Sequence, residues 1–185
     1  MSYYLLDNEN PNAIRTENGK QGWYYPKRLE KIRGFVFHTA ESTVASEVAS
    51  YYSKSNRKSS VHVLVDDQQV IEMLPDDFTA FHTDNENSMS LGVELCYKAD
   101  DWGKNSGKEH KIINNCAQWI AQKVIDYDIP FRKLTPNEWN SGMKGFISHY
   151  EFDRIKRKDP GLGYDWLLLF DLAGKWKTTL LKKES

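Results

Sequence analysis

Gly34-Phe35-Val36-Phe37-His38 is a short, continuously apolar run that ends on a polar residue. Runs of this kind form strands buried inside a sheet, and a histidine at the strand's end is free to face a cleft. The same design returns at Gly145-Phe146-Ile147-Ser148-His149. Two such strand ends on one edge of a sheet bring their imidazoles together although the residues are distant in sequence. The stretch Ser90-Leu91-Gly92-Val93-Glu94-Leu95-Cys96 reads as a third interior strand, carrying a single carboxylate.

Working outward, Val61, Val63 and Val65 alternate with His62, Leu64 and Asp66, and an apolar run resumes at Val70 after the polar Asp67-Gln68. That pattern predicts a hairpin. Val44, Val48, Tyr51 and Tyr52 recur at helical spacing between Ser42 and Ser55, with Ser42 or Thr43 as cap. Ile113, Cys116, Ile120, Val124 and Tyr127 trace one face of a second helix ending before Pro130. Residues 131–144 read as loop or a short helical turn. Asp165 is placed to cap a last helix containing Trp166, Leu169, Phe170, Leu172 and Trp176. Residues 1–33, interrupted by Pro11 and Pro26, read as an irregular N-terminal arm, with Trp23-Tyr24-Tyr25 pinning it to the body. The expectation is one α/β domain over 34–185, with a central mixed β-sheet flanked by α-helices.

A chain of 185 residues buries a sizeable core without metals or disulfides as its main stabiliser, so any metal ligands serve function. A formal net charge of −1 gives no overall pull toward nucleic acid or anionic membrane, although Arg154 to Lys158 and Lys182-Lys183 are locally basic. Cys96 and Cys116 lie in apolar segments without metal-ligand spacing and read as buried free thiols. Met1-Ser-Tyr-Tyr-Leu-Leu-Asp7 lacks the basic start and long apolar run of a signal peptide. No stretch of about 18 apolar residues is present, so no membrane insertion is expected.

Ten residues beyond His149, Asp159 precedes Pro160-Gly161, where proline and glycine force a turn and fix how the carboxylate is presented. His38, His149 and Asp159 would make a site of two imidazoles and a carboxylate, and catalytic zinc takes three protein ligands plus water. Such a metal acidifies water and polarises a carbonyl, both of which amide hydrolysis needs. A lone carboxylate inside Leu91–Leu95 is costly to bury unpaired, so Glu94 should face a cleft, a cation or a proton donor. The alternative is a soluble α/β domain whose histidines and Glu94 are satisfied structurally, and no His-Glu-x-x-His motif is present to decide.

Val36-Phe-His38-Thr-Ala40, Ser60-Val-His62-Val-Leu-Val-Asp66, Ala80-Phe-His82, Ser90-Leu-Gly-Val-Glu94-Leu95, Ile147-Ser-His149-Tyr-Glu151 and Lys158-Asp159-Pro-Gly161 with Asp165-Trp166 occur in this order. In this combination the chain resembles the zinc-dependent N-acetylmuramoyl-L-alanine amidases, the type 2 group shared by phage endolysins, bacterial wall amidases and peptidoglycan recognition proteins. The resemblance implies a Zn²⁺ cofactor held by His38, His149 and Asp159. It implies peptidoglycan as substrate, cleaved at the amide joining N-acetylmuramic acid to L-alanine. It gives Glu94 the acid and base work, the more so because Val61 stands where some phage members have tyrosine.

Family members often carry a lysine two residues before the third ligand. Here that position is Arg157, so the oxyanion role falls to Arg157, with neighbouring Lys158 as the other candidate. His82, Asn85 and Trp102, with Asp84 and Asn87, are the expected substrate contacts, and His62 is expected to be structural or to support a ligand. A signal-less chain of this type is expected to be made in a cytoplasm, a phage host's if phage-encoded, and to act on the wall after release. A cytoplasmic recycling role is the alternative place of action. A non-catalytic peptidoglycan-binding module of the same fold is the competing function, and oligomeric state is left open.

Overall fold

Alternation along the central strands decides what each face of the sheet carries. A computed structural model of the chain describes residues 24–25, 27–54, 59–83 and 85–183. Its strands are β1 (Tyr24–Tyr25), β2 (Gly34–Thr39), β3 (Val63–Val65), β4 (Val70–Glu72), β5 (Thr79–Ala80), β6 (Ser90–Leu95) and β7 (Gly145–Ser148). Its helices are α1 (Ala45–Lys54), α2 (Ser106–Asp126), α3 (Pro136–Asn140) and α4 (Trp166–Lys183). Five strands lie in the order β4-β3-β6-β2-β7, and β1 pairs separately with β5. β3, β6, β2 and β7 run parallel, while β4 returns antiparallel to β3, so the sheet is mixed. The expected hairpin, the three interior strands and the α/β class are all present.

On one face Phe35, Phe37, Val63, Val65, Leu91, Val93, Leu95 and Phe146 pack with Ile112, Ile113, Cys116, Ile120 and Leu169, residues of α2 and α4. Cys116 lies in this core, and Cys96 is likewise a buried free thiol, its acidity suppressed by burial. The other face carries Val36, His38, Gly92, Glu94 and Leu64, which alternate with those core positions. Leu64 packs there with Ala45, Val48 and Ala49 of α1, and Val36 packs with Trp139 of α3. Polar side chains thus share a sheet face with two small apolar clusters, and this shared face is where chemistry becomes possible.

The first helix is not capped as its sequence predicted. It begins at Ala45, whose amide donates to Asp66 Oδ2 at 2.8 Å, so a carboxylate from the hairpin turn serves in place of Ser42 or Thr43. The same Asp66 holds its own turn by accepting from Gln68 and Gln69 amides at 2.8 Å. Asp165 Oδ1 accepts from the Leu168 amide at 2.9 Å and caps α4 as expected. Within 131–144 the short helical turn is α3, which carries a reciprocal capping box between Thr135 and Glu138.

Most of the expected arm, Trp23 included, lies outside the described residues. Its described end is tied down, because Tyr24 stacks on Phe78 at 5.2 Å and β1 pairs with β5. Arg28 is built into the domain itself. Its guanidinium donates to the carbonyls of Asp76, Phe78, Asn87, Ser88 and Ser90 at 2.7–3.2 Å, bridging the segments on either side of His82. Burial lowers this guanidinium to about 10, which leaves it charged at neutral pH.

Candidate active site

His38 is the penultimate residue of β2, and His149 follows the last residue of β7, the strand paired beside it. The two Nδ1 atoms stand 2.9 Å apart. Asp159 Oδ2 lies 3.1 Å from His38 Nδ1 and 2.9 Å from His149 Nδ1. Both histidines are buried and Asp159 is partly buried. Asp159 is presented by its turn. The Asp159 carbonyl accepts from the Tyr150 amide at 2.9 Å, and the Pro160 carbonyl accepts from Thr39 Oγ1 at 2.7 Å. Gly161 has φ +117, and a Cβ there would lie 2.2 Å from the Ala99 carbonyl oxygen, so only glycine serves.

The donor set suits a metal ion of the zinc type. Three atoms with lone pairs, two imidazole nitrogens and one carboxylate oxygen, form a triangle with edges of 2.9–3.1 Å. Zinc bonds of about 2.0–2.1 Å in tetrahedral geometry set neighbouring ligands about 3.3 Å apart, so a small outward shift admits the ion. Among the described residues, these three form a group of metal-ligand type.

The electrostatics keep the set ready to ligate. Burial lowers the His38 imidazole to about 4, against a partly compensating hydrogen bond to Asp159. Burial alone would raise the Asp159 carboxyl, but chiefly the hydrogen bond with His149 holds it well below the usual carboxylate range. His62, fully buried, is lowered to about 3 by burial and by the Arg28 guanidinium. His82 is held well below its ordinary value by burial and by neighbouring His38.

These shifts give a pH dependence with a definite sign. An unfolded histidine takes up a proton near pH 6.5, whereas the buried rings refuse it until far lower pH. Their contribution to stability is therefore complete above about pH 6.5 and is lost as the pH falls through 4 toward 3. Asp159 adds to the loss in the same direction below its unfolded value of about 3.9. The urea midpoint of the metal-free protein should be level from pH 8 to 7 and fall steadily from about 6.5 to 4. A midpoint unchanged at pH 4.5 would contradict the buried neutral rings.

Glu94 pairs in register with His38 across β2 and β6, which places the two side chains on one face of the sheet. It is buried, and the Tyr52 hydroxyl from α1 donates to its Oε2 at 3.0 Å. Sequence reasoning had Tyr52 only as an apolar helix position. No local signal marks its hydroxyl, because its partner is 42 residues away.

Other expected site residues fall differently. Arg157 is exposed, and its charge is felt at His38, where it disfavours the imidazolium. Lys158 is drawn away, with Nζ 2.7 Å from Asp100 Oδ2 on the surface. Trp102 is not a loop aromatic open to substrate. It is only 6% exposed and packs against Tyr97 and Tyr164, because the Pro160-Gly161-Leu162-Gly163 turn folds over it. A Cβ at Gly161 would lie 2.9 Å from the indole, and one at Gly163 would lie 2.7 Å from the Trp102 carbonyl oxygen. Trp102 thus supports the turn that presents Asp159.

His82 is also buried, with Nδ1 3.0 Å from His38 Nε2, so its imidazole is committed within the protein. Asn85 is exposed, and Asp84 lies outside the described residues. Asn87 Oδ1 accepts from the His82 and Thr83 amides and from the Thr83 hydroxyl, shaping its own loop. His110 is exposed on α2.

A family model described as N-acetylmuramoyl-L-alanine amidase matches residues 28–162, a span that begins at Arg28 and contains every residue of the triangle. The chain belongs to that family. Amidase relatives include CwlA of Bacillus subtilis, 29% identical over 62% of this chain and 42% of its own length. XlyB of the same organism is 32% identical over 65% of this chain and 39% of its own. The chain therefore spans about two fifths of the length of the curated relatives it matches. Among solved structures, the hydrolase AmiA of Staphylococcus aureus superimposes with a TM-score of 0.68 at 18% identity, covering 98% of this chain and 84% of that one. A mutant endolysin from Bacillus subtilis superimposes at 0.59 with 17% identity, covering 93% and 97%. These superpositions establish that the mixed sheet with flanking helices is the amidase fold. No helix among the described residues is long and apolar enough to cross a membrane.

Proposed function

We propose that the domain over 34–185 is a zinc-dependent N-acetylmuramoyl-L-alanine amidase. It cleaves the amide between the lactyl group of N-acetylmuramic acid and the L-alanine of the peptidoglycan stem. The observation that carries this reading is the convergence of His38 Nδ1, His149 Nδ1 and Asp159 Oδ2 within 2.9–3.1 Å, on the sheet face that also bears Glu94. Zinc held by these three atoms supplies a Lewis acid for the amide carbonyl and an acidified water.

Glu94 takes the proton from the attacking water onto its carboxylate and returns it to the leaving amine of L-alanine. The Tyr52 hydroxyl, donating to Oε2 at 3.0 Å, holds that carboxylate in place through the exchange. Asn85, exposed beside the buried His82 segment, is left to touch the glycopeptide. Substrate in this reading is wall polymer, met after release from the cell that makes the protein. A binding-only module would have no use for a complete donor set with a buried carboxylate beside it.

The test uses the purified chain, its zinc content and isolated cell walls. Expected are one zinc per chain and the release of free L-alanine amino termini without new reducing sugar ends. A wild-type protein that binds no zinc, or that generates reducing ends instead, overturns the reading.

Arg157 rather than Lys158 is the cation proposed to stabilise the developing oxyanion. Losing a donor of that kind costs on the order of 10²-fold in turnover. Arg157→Ala should therefore lower kcat by about that factor at unchanged zinc content. Lys158→Ala, which only breaks an exposed pair with Asp100, should change it by less than about threefold. The reverse ranking would transfer the role.

A further inference from the structure

We propose that Ser90 and His82 are positioning residues that set the tautomer of His38, presenting a bare Nδ1 to the metal. The inference rests on the metal-centre reading above and follows from counting hydrogens along one chain of contacts. Ser90 Oγ lies 2.6 Å from the Glu86 carbonyl oxygen, which has no hydrogen to give. The single hydroxyl hydrogen of Ser90 therefore points there. Ser90 Oγ can then only accept from His82 Nε2, 3.2 Å away, so that nitrogen carries the ring hydrogen. The neutral His82 ring is left with a bare Nδ1, which accepts from His38 Nε2 at 3.0 Å. His38 in turn has its hydrogen on Nε2 and none on Nδ1, the atom that faces His149 and Asp159.

The surroundings hold this arrangement rigidly. Ser90 is fully buried and His82 nearly so. Gly92, on the strand beneath, makes the space that His82 occupies, since a Cβ there would lie 2.6 Å from His82 Cγ. The Gly92 amide donates to His62 Nδ1 at 2.9 Å, and His62 Nε2 lies 2.7 Å from Arg28 Nη2 and 3.1 Å from the Phe78 carbonyl oxygen, so both ring nitrogens are engaged. The His62 ring then packs edge-on to His82, with centroids 5.9 Å apart. Serine and glycine two residues apart on one strand thus serve a single imidazole, and that imidazole serves a ligand. Partners behind a metal-bound histidine fix its ring orientation and raise its basicity, and their loss costs about 10–100-fold in metal affinity.

The experiment measures zinc affinity by chelator competition and ring tautomers by long-range ¹H–¹⁵N spectra of the metal-free chain. It compares the wild type with Ser90→Ala, His82→Ala and His82→Asn. In the wild type, His38 and His82 should both carry their hydrogen on Nε2. His82→Ala should bind zinc about 10–100-fold more weakly. His82→Asn, which keeps an oxygen near the Nδ1 position to accept from His38, should recover most of that loss.

Ser90→Ala should leave His82 a mixture of tautomers and weaken zinc by a smaller factor. The relay is overturned if His38 carries its hydrogen on Nδ1, or if both alanine variants bind zinc as the wild type does. It is also overturned if a folded His82→Asn, judged by circular dichroism, is no better than His82→Ala. Failure of the wild type itself to bind zinc would instead remove the metal centre, and the spectra would still report on the relay.

Discussion

His149→Ala is expected to hold no stoichiometric zinc and to lose wall hydrolysis by on the order of 10³-fold or more. The bound metal supplies several kcal/mol of transition-state stabilisation, and each 1.36 kcal/mol is a factor of ten. His149 contributes one vertex of the triangle, with Nδ1 2.9 Å from both His38 Nδ1 and Asp159 Oδ2. It stands just beyond β7 and outside the apolar clusters, so the substitution should leave the fold intact. Metal analysis, circular dichroism and release of L-alanine amino termini check the three parts separately. A folded variant that retains a full complement of zinc would remove His149 from the ligand set.

Glu94→Gln should separate metal binding from turnover. The amide is isosteric and still offers an oxygen to the Tyr52 hydroxyl, so stability and zinc content should remain near wild type. Proton transfer by a positioned carboxylate contributes about 10²–10⁴-fold, and kcat should fall by that amount. Near-normal turnover would make Glu94 a structural carboxylate satisfied by Tyr52. Together the two substitutions distinguish a ligand from a proton carrier, one losing metal and activity, the other activity alone.

Much of the site was legible in the chain because its parts are local. An apolar run ending on histidine, as at Gly34–His38 and Gly145–His149, states its own strand and its own exit. Asp159-Pro160-Gly161 states its own turn. Trp102 misled because aromatic residues in polar loops look solvent-facing, and only the fold brings Gly161 and Gly163 over the indole. The partner of Lys158 was hidden for a similar reason, since Asp100 lies 58 residues away.

By itself the sequence determined the five strands of the main sheet, the three longer helices, the two imidazoles and the carboxylate, since period and turn chemistry act between residues close in the chain, whereas the small β1-β5 pair was not visible in it. The tertiary structure alone decided which groups meet. Register sets Glu94 beside His38, and Tyr52 reaches Glu94 from α1 across 42 residues. Asp159 reaches His38 across 121 residues. Ser90 and Gly92, unremarkable in a strand, acquire a purpose once His82 folds over them. Such contacts depend on how strands pair and which face a side chain takes, and a one-residue change of register would undo them without altering any local pattern.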